Sequence, residues 1–178
     1  MPLVFSPFVI SRSDGSKVPV EILPANENDL LQTVEDGWQS GWNSSFLNQL
    51  DIEKYAMKSS NGELIALGAY QIAGSRAFVY IVYLESAPSS NPTMTKHDYR
   101  RYFGIGEVMI AFGIKYSIDN GCRGDVVFDA KTDELATHYK NDFHALEVSR
   151  LSTGGPRRFM LADIDAWNLF SKFLVEED

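Results

Sequence analysis

The sequence predicts a single α/β domain of the layered α+β kind over residues 1–178, with a mixed, mostly antiparallel central sheet, flanking helices and one parallel βαβ unit. Three observations predict it. The chain has 178 residues, one domain's length, and is 44% hydrophobic against 22% charged, which is enough apolar material for a core. Residues 54–85 alternate Val-, Ile- and Tyr-rich runs with turn signals, as an antiparallel meander does. Beyond them, two glycines open an apolar helix pattern that leads into the apolar run Asp125–Asp129. Strand, helix and strand in that order make a right-handed crossover between parallel strands.

Met1–Ile10 is apolar, carries two prolines and has no Lys or Arg ahead of its apolar run, so it reads as an edge strand and not as a signal peptide. Val18–Leu23 reads as a strand paired with it across Ser13–Ser16. A helix follows, capped by Asn26 or Asn28, with an apolar stripe of Leu30, Leu31 and Val34 and an end at Gly37. Trp38, Trp42 and Phe46, four apart, can share one face of a short helix, as core or as the wall of a substrate pocket. Tyr55–Lys58, Glu63–Ile72 and Ala77–Leu84 are strands separated by Asn61-Gly62 and Gly74-Ser75. A polar loop, Ser86–Asp98, precedes the helix Ile105–Ile118, whose stripe is Ile105, Val108, Met109, Phe112 and Tyr116. Asp133–Asn141 reads as a helix, Phe143–Ser149 and Arg157–Leu161 as a hairpin around Ser152–Pro156. Asp163–Leu174 reads as a helix with Ile164, Trp167, Leu169, Phe170 and Leu174 on one side.

Composition also bounds the partners. Sixteen Lys and Arg against 24 Asp and Glu give a net charge of −8, which disfavours nucleic acid as a partner. The single Cys122 cannot form an internal disulfide and suits a reducing compartment. No apolar run reaches the roughly 18–20 residues of a membrane span. The expectation is a cytoplasmic protein with no membrane partner. His97, His138 and His144 are scattered and lack a Cys partner, so no metal is expected. A serine hydrolase has no support, because no Gly-x-Ser-x-Gly occurs.

Arg101-Tyr102-Phe103-Gly104-Ile105-Gly106 places an arginine and two glycines immediately before a helix, where backbone N–H groups and the helix dipole favour an anion. Lys96, Arg100 and Arg101 against Asp98 make this stretch positive within a negative protein. Close packing of helix on strand would account for the glycines equally well. A Walker loop would need Gly-Lys-Ser/Thr, and a dinucleotide fingerprint a third glycine near Met109; neither is present.

Arg-x-x-Gly-x-Gly at a helix start, after a strand meander and before strand, helix and hairpin, resembles the acyl-CoA-binding motif of the GNAT family of N-acetyltransferases, from about Val18 to Leu161. The resemblance implies a GNAT-like fold and acetyl-CoA as co-substrate. Arg101, Phe103, Gly104, Ile105, Gly106 and Glu107 would cradle its pyrophosphate, and Leu84 and Ser86, with the strand Ala77–Glu85, would lie along pantetheine. It further implies Tyr139 as the acid that meets the departing thiolate and Glu85 as a carboxylate base, each of which has a purely structural alternative: a core residue for Tyr139, a solvated strand end for Glu85. Asp129-Ala130-Lys131-Thr132 lacks the family's usual Asn, and Thr132 would supply a hydroxyl to the cofactor site instead. The usual Gly after the tyrosine helix is replaced by Phe143-His144-Ala145. Leu84–Pro88, Asp129–Lys131 and His138–Lys140 together are similar to a bacterial subset of the family, which names no substrate. The acidic surface would favour a cationic acceptor, a small-molecule or peptide amine. A CoA- or protein-binding module without turnover is the alternative, and an aminoacyl-tRNA-acetylating toxin a lesser one. The resemblance also allows a homodimer, for which Trp167, Phe170 and Phe173 are the candidate contacts.

Overall fold

Local chemistry decides where the first helix begins. Asn26 accepts from the Asp29 N–H at 2.8 Å while Asp29 accepts from the Asn26 N–H at 2.9 Å, a capping box that satisfies two otherwise unpaired donors. The computed structural model describes residues 2–95, 99–148 and 154–178. Lys96, His97, Asp98 and the turn residues Ser152 and Thr153 lie outside the described residues. The elements are α+β: four helices, a two-stranded sheet and a mixed nine-stranded sheet among those residues.

The chain divides into two compact units, and strands β5 and β6 and helix α2 run through both. The first unit takes residues 1–69, 83–109 and 173–178. It contains β1 (Leu3–Phe5), β2 (Phe8–Ser11), β3 (Lys17–Pro24), α1 (Glu27–Glu35) and β4 (Ile52–Ser59). It also takes the first part of β5 (Leu64–Ala73), the end of β6 (Phe78–Ser86), β7 (Tyr102–Phe103) and the first turn of α2 (Ile105–Asp119). Its strand order is β7-β2-β3-β4-β5-β6. As the sequence predicts, β2 pairs antiparallel with β3, Val9 opposite Val18. The amino-terminal run is not one strand, however. Pro7 falls between β1 and β2, and β1 pairs with the carboxy-terminal strand β11 (Leu174–Glu176). Phe173 joins the two through ring contacts with Phe5 and Phe8.

Two expectations in this unit are corrected. Leu31 and Val34 are exposed, and α1 instead buries Asp29 and Thr33. Asp29 is buried because the capping box and Lys58 Nζ, 2.8 Å away, together satisfy its carboxylate, and the Thr33 hydroxyl donates to the Leu30 carbonyl at 2.7 Å. The segment after α1 forms turns and not a helix, so Trp38 and Trp42 are buried while Phe46 is 60% exposed.

The second unit takes residues 70–82 and 110–172, with β8 (Val126–Ala130), α3 (Asp133–Asp142), β9 (Leu146–Val148), β10 (Arg157–Leu161) and α4 (Asp163–Ser171). Its strand order is β5-β6-β8-β10-β9. β6 and β8 run parallel, Tyr80 opposite Val127, as the βαβ reading requires, whereas β8 with β10 and β10 with β9 are antiparallel. Phe112 and Tyr116 of α2 pack against Tyr70 of β5, with ring centroids 5.3 and 5.8 Å apart. A Cβ on Gly113 would come within 2.9 Å of Ile81 Cδ1 and 3.2 Å of Tyr70 Cε1, so the missing side chain sets how closely helix and strands approach. Helix α4 stops at Ser171, and Leu174 therefore belongs to β11. Ala166, Leu169 and Phe170 are its buried residues, while Ile164 and Trp167 face solvent.

Candidate active site

The glycine motif is set up by the strand before it. β7 is held to β2 with Phe103 opposite Ile10, the Arg101 N–H donates to the Ser89 carbonyl at 3.0 Å, and the Tyr102 N–H donates to the Ser90 hydroxyl at 3.0 Å. Gly104 then turns the chain with φ +84°, a conformation that disfavours side chains, and α2 begins. The Val108 N–H donates to the Gly104 carbonyl at 3.1 Å, so Ile105, Gly106 and Glu107 form the first turn of α2, the end of a helix that favours an anion.

The space around the two glycines suits a phosphate-bearing cofactor. A Cβ built on Gly104 or Gly106 meets nothing within 4 Å, so open space adjoins these backbone positions. Close helix packing does not explain these two glycines, unlike Gly113. A second observation agrees. Arg100 Nε is buried without a hydrogen-bond partner, and its guanidinium lies 5.3 Å from the ring of Phe103, the residue before Gly104. A buried donor left unpaired costs about 1–3 kcal/mol, which an anion would recover. The cradle therefore fits the group that the motif implies. Arg101, by contrast, pairs with Glu63 and lies over the Tyr102 ring at 5.2 Å.

In the same unit, Leu84, Glu85 and Ser86 close β6. The described ladder between β6 and β8 ends at Ile81 opposite Phe128. Glu85 is 4% exposed and its two oxygens meet three donors: the Gln39 N–H at 2.6 Å, the Ser40 N–H at 3.2 Å and the Trp42 indole N–H at 3.1 Å. Ser40 and the Tyr83 hydroxyl are 2.8 Å apart, Gln39 donates to Thr93, and Asn91 donates to Gln39 at 3.2 Å. Glu85 thus ties the Gln39–Trp42 segment to β6. Neither a solvated strand end nor an unoccupied carboxylate describes it. Close by in the first unit, a groove of about 340 Å³ is bounded by Trp38, Asp36, Glu63 and Pro88 among others. Trp38 is thereby a pocket wall as well as a core residue.

In the second unit Tyr139 stands in an aromatic cluster, with Phe128 edge-on at 4.9 Å, Phe159 at 5.8 Å and Phe143 stacked at 6.0 Å. Burial pushes its hydroxyl up to about 12. Thr132 uses its hydroxyl to accept from the Leu135 N–H at 3.2 Å, capping the helix that carries Tyr139. A further group that sequence reading missed joins three strands. Asp129 accepts from the Tyr80 hydroxyl at 2.6 Å and from Arg158 Nε and Nη2 at 2.8 and 3.1 Å. Burial and then Asp129 raise the Tyr80 hydroxyl to about 12. The partners of Arg158 lie 29 and 78 residues away in sequence, as those of Glu85 lie 43 to 46 away, and no local pattern announces such pairs. No group of His, Cys, Asp and Glu able to hold a metal ion occurs among the described residues, and none of the described helices is long and apolar enough to cross a membrane.

No family model matches the chain, and no curated protein matches it in sequence. Solved structures do match in fold. The GNAT domain of S. lividans PAT superposes with a TM-score of 0.59 at 11% identity, over 88% of this chain and 96% of that domain. A chimera of the spermidine N-acetyltransferase SpeG from Vibrio cholerae gives 0.59 at 11% identity, over 84% of this chain and 98% of the other. The V. cholerae spermidine/spermine N-acetyltransferase SpeG, in complex with manganese ions, gives 0.54 at 11% identity over 80% and 91%. The fold is that of the GNAT acetyltransferases.

Proposed function

We propose that the chain is an acetyl-CoA-dependent N-acetyltransferase that moves an acetyl group to a primary amine of a cationic small molecule or peptide, the neutral amine attacking the thioester directly. The observation that carries this reading is the open cradle at Gly104 and Gly106, at a helix start, in a fold shared with N-acetyltransferases. Acetyl-CoA supplies the electrophile, an acetyl thioester. The amides of Ile105, Gly106 and Glu107 bind pyrophosphate with the help of the α2 dipole, and Phe103 floors the entry. Leu84 and Ser86 align the pantetheine arm through the β6 backbone. Arg101, tied to Glu63, fixes the approach to the cradle. Thr132 contributes by starting α3, which carries Tyr139.

Tyr139 is assigned to the departing thiolate. A hydroxyl near 12 stays protonated throughout the neutral range. Full transfer to an alkyl thiolate of pKa near 8.5 would run uphill by about 5 kcal/mol, so Tyr139 works by donating a hydrogen bond to the sulfur and not by surrendering its proton. Glu85 already receives three N–H bonds, and its role is to hold the Gln39–Trp42 segment; the proton of the attacking ammonium leaves through water. The net charge of −8 draws in a cation, and Asp36 and Trp38, both lining the groove, offer an ammonium group a charge and a π face. Polyamines, the acceptors in the names of the SpeG structures, are the first class to try.

Calorimetric titration of acetyl-CoA tests the cradle. The Cβ of Gly106→Leu meets nothing within 4 Å and the substitution improves helix propensity by up to about 1 kcal/mol, so the variant should melt no lower than wild type yet lose at least tenfold in affinity. Absence of binding by wild type would end the proposal. A binding module without turnover is favoured by one observation, the saturated Glu85 carboxylate, and it predicts binding with no thiol release.

A further inference from the structure

Two adjacent arginines precede the cradle, and their surroundings differ. The Arg101 charge is met within the protein by Glu63. Arg100 has a buried Nε with no hydrogen-bond partner, no ion-pair partner among the described residues, and a guanidinium 5.3 Å from the Phe103 ring. Arg100 as a whole is half-buried and not fully enclosed, and a guanidinium presents a rigid fork of N–H donors that suits two phosphate oxygens at once. The motif arginine is the less available of the pair, and its neighbour has the unused donor.

We infer that Arg100, and not Arg101, is the side chain that binds a phosphate of the cofactor, with Phe103 as the surface that orients it. The inference rests on the acetyl-CoA reading above and assigns the cation that the glycine motif leaves open. The phosphate is either the pyrophosphate or the ribose 3′-phosphate, and both present the same tetrahedral oxygens to the guanidinium. Arg101 becomes a positioning residue that holds the strand edge through Glu63.

The test is calorimetric titration of acetyl-CoA and of its 3′-dephospho form into wild type, Arg100→Met, Arg100→Lys and Arg101→Met, with a thermal melt of each variant alone. Arg100→Met should bind acetyl-CoA at least tenfold more weakly while melting no lower than wild type, because it removes an unpaired donor. Arg100→Lys should fall between, keeping the charge and losing the paired N–H groups. Arg101→Met should lose less than threefold in affinity and lower the melt instead. If the Arg100→Met defect vanishes with the 3′-dephospho ligand, the 3′-phosphate is the partner; if it persists, the pyrophosphate is. Wild-type affinity in Arg100→Met, or a larger loss in Arg101→Met, would overturn the inference and leave the acetyl-CoA reading standing. No binding by wild type would overturn both.

Discussion

Glu85 and Tyr139 carry the same expectation from sequence, a proton-handling role, and their surroundings part company. Glu85 sits at the end of β6 with three N–H donors on its two oxygens, two of them backbone amides of a segment that has no helix or strand of its own. Tyr139 is enclosed by the rings of Phe128, Phe143 and Phe159, and no described residue hydrogen-bonds its hydroxyl. A polar group whose capacity is filled stabilises structure, whereas the Tyr139 hydroxyl has no such tie among the described residues. The same contrast separates Arg101 from Arg100.

The comparison breaks most visibly at Tyr139. Tyr139→Phe keeps the ring in its cluster and removes only the hydroxyl, so turnover in a thiol-release assay should fall about 100-fold or more while the melting temperature moves by no more than about 2 °C. Glu85→Ala should behave in the opposite way. It leaves one buried and two part-buried donors without an acceptor and should cost about 3 kcal/mol in urea unfolding, with less than a tenfold loss of turnover in the folded protein. A stable Glu85→Ala protein with a 100-fold loss of turnover would restore Glu85 as the base. pH sharpens the contrast further. With the Tyr139 hydroxyl raised from 10.0 to about 12, its contribution to stability is complete below pH 10 and is lost as pH rises towards 12. Turnover should likewise show no descending limb from this group below pH 10, and Tyr139→Phe should flatten the alkaline loss of stability. The smallest effect is expected at Asn26→Ala, where loss of the capping box should cost about 1 kcal/mol and leave turnover unchanged.

Much of the fold is legible in sequence because its signals are local. Alternation and turn residues mark β4, β5 and β6, Asn26 marks the start of α1, and the glycine pair marks the start of α2. Where burial is decided by distant partners, the reading goes astray. Asp29 is buried in place of Leu31 and Val34 because Lys58 and Asn26 satisfy it, and Phe46 leaves the core because its segment forms turns. The cradle was readable for the same reason as the helix start, being contiguous in the chain. The donors to Glu85, the Glu63 partner of Arg101 and the Tyr80–Asp129–Arg158 group were not, since each spans dozens of residues. Resemblance carried an arginine into the site by position, and only its surroundings distinguish it from the arginine beside it.

Acetyl transfer to a cationic amine is measured most directly by thiol release from acetyl-CoA, with wild type and Tyr139→Phe assayed side by side against spermidine, spermine and a lysine-containing peptide. Wild type should release thiol in an amine-dependent way with at least one of these acceptors, and Tyr139→Phe at about 1% of that rate. Release that does not depend on amine, none at all despite bound acetyl-CoA, or equal rates in the two proteins would contradict it.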